Sequence, residues 1–345
     1  MHKNTVPEKN MSRWKSILKA DPINWLLEEN NPSVRYFALT DLLGKPEVDA
    51  EVLRVKSEIM QTSIVPMILA KQKNGGYWGV PEDFYIRSKY KGTVWNLIIL
   101  AEHGADGKNE HIKKACKFIL ENSQDRKSGG FSYRSTPGGG GTHGGVLPCL
   151  TGNMVWCLIR FGLLNDSRVQ RGIDWIVKFQ RFDDASKEAP RGWPYDGKER
   201  CWGKHTCHMG VVKALKALAE IPGDKRSREV KATIKNGAEY MLNHHIHKRS
   251  HDLNRVSKHE WLKFGFPLMW NTDVLEILGT LTKLGYRDRR MQEAVDLVVS
   301  KQDMEGKWKL ESTFNGRFLV SIEQKGKLSK WITLNALKVL KRFYG

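Results

Sequence analysis

Along most of the chain, apolar residues recur three and four positions apart, the spacing of one face of an α-helix. The strict alternation of a half-buried strand is almost absent. The helical segments are of two kinds. In one set, 33–43, 92–103, 150–164, 208–221, 267–284 and 328–343, several members are apolar on more than one face, as in Leu97-Ile98-Ile99-Leu100 and Val155-Trp156-Cys157-Leu158-Ile159. A helix that is apolar nearly all round is covered on both sides, so this set reads as an inner layer. The other set, 55–71, 110–123, 168–179, 229–243 and 289–301, is apolar on one face and charged on the other, as an outer layer would be. A further helix over 13–29 would supply the first outer partner or a cap.

A repeat runs through this alternation. Gln72, Gly76 and Trp78 match Gln302, Gly306 and Trp308 in the pattern Q-x-x-x-G-x-W, and looser copies begin at Gln124 and Gln180. Successive Gln positions lie 52, 56 and 122 residues apart, the last being two periods of about 60 with the missing copy near His244. Each Gln closes an outer helix. Links from inner to outer helices are short (104–107, 221–224), whereas those returning inward are long (125–148, 181–204, 244–266, 303–327). Long loops in a compact domain usually carry function, and these would gather over the N-terminal ends of the inner helices. The expected fold is all-α, an (α/α)6 toroid of six helical hairpins over 33–345, preceded by a helical cap over 1–32.

Charge narrows the partners. Lys and Arg number 57 against 38 Asp and Glu, a net charge of +19 spread along the whole chain. Such a field favours an acidic partner, whether a diphosphate-bearing substrate or an anionic membrane surface touched peripherally. The basic segments hold no nucleic-acid module signature, so nucleic acid is not expected. No apolar run reaches the length of a membrane span and the first residues lack a signal-peptide core, which points to the cytoplasm. Five cysteines, three of them in turn-like contexts at helix starts, suit reduced thiols and a metal better than a disulfide framework.

The densest chemistry is Cys201, His205, Cys207 and His208, four soft-metal donors within eight residues, directly before the amphipathic run Val211 to Ile221. A helix N-terminus stabilises thiolates and anions. Cys116 and Cys157 lie mid-helix on apolar faces and read as core. His143 sits in the glycine-rich loop 137–145, which is either a phosphate cradle or a flexible feeder of the next helix. Arg191, Lys198, Arg200 and Lys204 would hold a diphosphate on the same rim, or stand as solvated loop charges. Tyr85, Tyr90, Trp95, Trp202, Trp261, Phe264, Phe266 and Trp270 could line an apolar pocket or pack between helix layers; Trp202 and Trp270, beside the thiol cluster, are the candidates for the pocket.

The Gln/Trp repeats and the inner/outer alternation resemble the α/α-toroid superfamily of squalene-type terpenoid cyclases and protein prenyltransferase β subunits, over nearly the whole chain. The resemblance implies that Gln72/Trp78 and Gln302/Trp308 tie outer helix ends to the next turn. The D-x-D-D motif of squalene-type cyclases is absent, leaving Asp183-Asp184 in a loop and a lone Asp273 in Trp270-Asn271-Thr272-Asp273. His143-Gly144-Gly145-Val146 is similar to the prenyltransferase H-G-G-Y stretch, and His205-Thr206-Cys207 stands where that family has D-x-C, while Asn271 replaces its third ligand. Cys149 followed 58 residues later by Cys207-His208 is similar to the zinc ligands of lanthionine-synthetase-type cyclases. That likeness implies a Zn2+ site of Cys149, Cys207 and His208 with one open position, and Cys201 or His205 as a further ligand or proton carrier.

The sequence therefore leads to a zinc-dependent prenyltransferase- or cyclase-like enzyme acting on an isoprenoid or other apolar small molecule or peptide in a central cavity. His205, Asp273 and Trp270 are its candidate catalytic residues. Two other readings stand beside it: a non-catalytic toroid that binds a lipid or peptide around a structural metal, and an unconventional cyclase that uses Asp273 or Asp183/Asp184.

Overall fold

The computed structural model describes residues 13–184, 188, 190–196 and 199–345, the side chains of Glu199 and Arg200 excepted. Inner helices alternate with outer ones along the chain. The inner set is α2 (Pro32–Phe37, continued by a π turn over Ala38–Leu42), α5 (Thr93–Glu102), α7 (Pro148–Arg160), α10 (His208–Leu218), α12 (Val274–Lys283) and α14 (Lys330–Tyr344). The outer set is α3 (Ala50–Thr62) with α4 (Ile64–Leu69), α6 (Glu110–Asn122), α8 (Ser167–Phe179), α11 (Arg228–Asn243) and α13 (Gln292–Ser300). Two short helices, α1 (Ile23–Leu26) and α9 (Glu199–Trp202), lie outside the alternation.

Local chemistry sets these boundaries. The outer helices α3, α6, α8 and α11 begin at Asp49, Asn109, Asp166 and Ser227, whose side chains accept the first free backbone N–H groups. The inner helices α5 and α7 are followed by Gly104 and Gly162 at φ +72° and +84°, the left-handed conformation that turns the chain back outward. Every residue from Thr93 to Ala101 of α5 is buried, as its all-round apolar pattern requires.

The inner helices close into a ring. α5 packs on α7, α7 on α10, α10 on α12, α12 on α14 and α14 on α2, while Ser33 of α2 donates to the His103 carbonyl at the end of α5 (2.8 Å). α7 and α10 are the most intimate pair, because a Cβ on Gly152 would lie 2.5 Å from the Lys213 backbone. The fold is thus an all-α toroid, carrying a small hairpin of β1 (Lys248–Arg249) and β2 (Asp252–Val256).

The repeat residues are the mortar of the ring. Trp78 Nε1 donates to the Ile68 carbonyl (2.8 Å) and Trp308 Nε1 to the Val298 carbonyl (2.7 Å). Gln72 Nε2 reaches the His111 carbonyl (2.9 Å) and Gln124 Nε2 the Arg168 carbonyl (2.7 Å), so each ties its own turn to the next outer helix. A third member escaped the sequence reading. Thr93, Thr151 and Thr333, in the first turns of α5, α7 and α14, accept the backbone N–H of Trp78, Phe131 and Trp308 at 3.1, 2.9 and 3.0 Å.

Three boundaries differ from expectation. The helix expected over 13–29 is a set of turns followed by α1, because Pro22 cannot donate within a helix and the chain restarts there. The segment still fills the sixth outer place: α1 packs on α14, and Gln302 binds Ile17 and Lys19. The 55–71 helix breaks at Ser63, which caps α4. The 267–284 helix starts only after Asp273, its N-cap.

Candidate functional site

Two regions carry chemistry, the N-terminal rim of the inner helices and the centre of the ring. At the N-terminal rim, the packing of α7 on α10 brings Cys149, Cys201 and Cys207 into one neighbourhood, none of them in a disulfide. Burial pushes the Cys149 thiol well above its ordinary range, and the nearby Cys207 and Cys201 push it further. Tyr85 hydrogen-bonds Cys149. Burial also raises Cys207, partly offset by the backbone N–H groups of Gly210 and Met209 at the start of α10.

His208 does not join them. Its ring stacks on Trp261 (centroids 4.5 Å apart, 30°) and meets His244 edge-on at 5.0 Å, toward the outer wall. The expected zinc ligands therefore diverge, and among the described residues no group of three or more His, Cys, Asp or Glu side chains is placed to hold a metal ion. Cys149 in the first turn of α7 and Cys207 at the N-cap of α10 bring the two thiols to one rim, whereas His208, the first residue of α10, turns its ring to Trp261 and His244.

The other candidates at this rim scatter. His143 Nδ1 lies 2.7 Å from the buried Asp125 carboxylate, and its ring stacks on Trp193 at 4.0 Å. That pair, with Trp193 Nε1 on the His143 carbonyl (3.0 Å), pins the glycine-rich loop. Arg191 is exposed and 3.8 Å from Glu188. Lys204 is exposed, Lys198 lies outside the described residues, and the Arg200 side chain is likewise not described. Trp202 is buried between Trp175 and Tyr195. Trp270 donates to the Tyr90 hydroxyl (3.3 Å) beneath Lys89. His205 is exposed, its Nδ1 3.5 Å from Asp184.

The second region is the centre of the ring, a cavity of about 510 Å3. It runs from Phe266 and Asp273, at the start of α12, to the C-terminal ends of the inner helices at Arg160, Lys283 and Arg342. Its aromatic walls are Tyr36, Phe37, Trp156, Phe161, Phe266 and Trp331; of the rim aromatics singled out in the sequence, Phe266 alone borders it. The thiols lie beyond its lining.

Asp273 borders this cavity at the start of α12. It is 1% exposed, and its two carboxylate oxygens accept the backbone N–H groups of Glu276 and Gly265, each at 2.8 Å. Burial pushes its pKa up to about 7; the two backbone bonds oppose the shift and the neighbouring Glu276 charge adds to it. A neutral carboxyl that borders a cavity can donate a proton into it.

Below Asp273 sits an ion cluster that the sequence reading missed. Lys213 Nζ contacts both oxygens of Glu276 at 2.7 Å, and Lys216 bridges Glu276 (3.1 Å) and Glu102 (2.6 Å) with its ammonium 4.1 Å from the Trp156 ring centre. Lysines within the otherwise apolar run of α10 were the available signal, since a charge on an inner helix must either pair or face a cavity.

No family model matches the chain, and no curated protein matches it. Solved structures do. The type II terpene cyclase MstE from Scytonema, in complex with geranylgeranyl dihydroxybenzoate, is 14% identical over 98% of this chain and 99% of its own, with a TM-score of 0.44. Cellobiose 2-epimerase from Bacillus thermoamylovorans B4167 is 14% identical over 72% and 71%, at 0.45, and a protein from Actinoplanes is 13% identical over 90% and 89%, at 0.43. One fold thus stands beside unlike reactions, and at these scores the likenesses carry no reaction across to this chain.

Proposed function

We propose that this protein is an enzyme that holds an isoprenoid or other largely apolar substrate in the central cavity and protonates it from Asp273. The observation that carries the reading is the position and state of that carboxyl: buried, bordering the cavity, and with its pKa pushed up to about 7. Donation from Asp273 to an alkene carbon leaves a carbocation on the substrate and a carboxylate on the enzyme. The aromatic faces of Trp156, Phe266 and Trp331 are suited to stabilise such a cation. The carboxylate formed is received by the two backbone N–H groups already on its oxygens, and Lys213 lies close enough to favour its charge.

Proton transfer fits this cavity better than prenyl transfer, because Asp273 borders it and the thiols that could act as a nucleophile's anchor do not. The test is incubation of the purified protein with geranylgeraniol and geranylgeranyl diphosphate, with products followed by mass spectrometry. An isomerised or cyclised product of unchanged mass is expected from the unaltered protein and not from Asp273→Asn. A variant that turns over as well as the parent would remove Asp273 from the mechanism.

A further inference from the structure

At the C-terminal ends of the inner helices, the cations bordering the central cavity are ion-paired with one exception, the exposed Lys108 apart. Lys283 lies 2.6 Å from Glu220, Lys338 2.6 Å from Asp41 and Lys56 3.9 Å from Glu47, while Arg342 shares Asp41 at 3.9 Å. Lys216 is held between Glu102 and Glu276. The exception is Arg160, the last residue of α7. Among the described residues it forms no ion pair, and nothing accepts a hydrogen bond from its guanidinium. That group stands over the Phe37 ring, 5.3 Å from the centroid, and the Lys338 ammonium lies 5.3 Å from the same ring.

A cation in the last turn of a helix commonly serves that helix, by complementing its dipole or binding its last carbonyls. The carbonyls of Cys157, Leu158 and Ile159 are already taken, by the N–H groups of Phe161, Leu163 and Gly162 at 3.0, 2.9 and 2.9 Å. The dipole therefore accounts for a charge at this place and leaves the donors of the guanidinium unspent. Asn335 adds another. It borders the cavity from α14, on the face that also carries Trp331, Lys338 and Arg342, and among the described residues its amide has no hydrogen-bond partner.

The amount of free charge decides what these donors can hold. Glu220 feels Arg160 as well as Lys283, so Arg160, Lys283, Lys338 and Arg342 share two carboxylates, Asp41 and Glu220. Burial lowers the Lys283 ammonium; Glu220 opposes this, and Arg160 and Lys338 add to the lowering, as crowded cations do. Glu47 is offset by Lys56, and Asp106 by Lys108 two residues on. A single carboxylate matches this small surplus and accepts two parallel bonds from a guanidinium. A diphosphate would bring several negative charges against Asp41, Glu47, Asp106 and Glu220, which line the same end.

We propose that the occupant of the central cavity is a carboxylic acid with a long apolar tail. Arg160 and the amide of Asn335 bind its carboxylate, and the tail follows the aromatic walls toward Phe266 and Asp273. This rests on the cavity being the isoprenoid site, as proposed above, but not on proton transfer from Asp273, so binding tests it. Calorimetric titration of the full chain with geranylgeranoic acid, its methyl ester, geranylgeraniol and geranylgeranyl diphosphate should show the acid binding about tenfold or more tightly than the other three. Arg160→Met, which keeps an apolar stem over Phe37, should remove that preference and leave the affinity for the alcohol unchanged. The comparison of acid with ester uses the unaltered protein and holds even where the variant does not fold. Equal binding of acid and ester, tighter binding of the diphosphate, or a preference that survives Arg160→Met would overturn the proposal. A preference for the acid beside turnover that Asp273→Asn leaves intact would remove the proton-transfer reading and keep this one. Binding of none of the four would remove both.

Discussion

Asp273 caps α12, and the proposed function asks a second role of the same carboxyl. As an N-cap it needs only an acceptor oxygen, and Asn would serve α12 nearly as well. As a proton source it needs the acid itself. Asp273→Asn should therefore abolish turnover while leaving the helical circular dichroism intact. The same group leaves a mark on stability. Its folded pKa, about 7, exceeds the ordinary 3.8, so between pH 4 and 7 the native state keeps a proton that the unfolded chain has released. Its contribution to stability is present below pH 4 and lost as pH rises through 7, with a slope approaching about 1.4 kcal/mol per pH unit. Urea unfolding from pH 4 to 8 should show Asp273→Asn gaining on the parent across that window. A pH-independent difference would mean that the carboxyl is ionised throughout.

Among helices, the decisive contacts are those that let inner neighbours approach or tie outer ends to the next turn. Gly152→Ala would push a methyl into the Lys213 backbone, and overpacking of this kind costs about 1–3 kcal/mol. The shift should be read as a lower urea midpoint with unchanged m-value. Thr93→Val keeps the shape of α5 but strands the buried N–H of Trp78, a loss of about 1–3 kcal/mol in the same measurement. Thr93→Ser, which retains the hydroxyl, should recover most of it. The Gln/Trp repeat was legible because its spacing is regular and its residues are distinctive. The threonines that complete it were not, since a Thr at a helix start is common and its partner lies 15 to 25 residues away.

At the scale of the whole ring, closure depends on the N-terminal segment reaching the last repeat. The Lys19 backbone N–H donates to Oε1 of Gln302 (3.1 Å), and Gly306 fits so tightly over Ala20 that a Cβ there would run into its carbonyl oxygen. Gln302→Ala should loosen this seam and make residues 13–26 exchange their amide hydrogens faster than the rest of the ring. Metal analysis of the purified protein gives the other molecular test. With the thiols and His208 divergent as described, zinc bound stoichiometrically and lost in Cys207→Ala would mean that the rim rearranges around an ion. Protein free of zinc, with unaltered unfolding in chelator, is the expected result.

The chain alone determined the layers, the number of hairpins and which helix ends carry the long loops, because hydrophobic period and repeat length are local properties that survive any three-dimensional arrangement. It also placed Cys149 and Cys207 on one rim, since a full repeat returns to an equivalent position. Only the folded ring decided where each side chain faces. Cys207 is the extended N-cap of α10 and His208 its first helical residue, and that change of backbone leaves a thiol among its neighbours while the imidazole packs on Trp261 and His244. Burial, which depends on everything packed around a group, pushed the Asp273 carboxyl up to about 7.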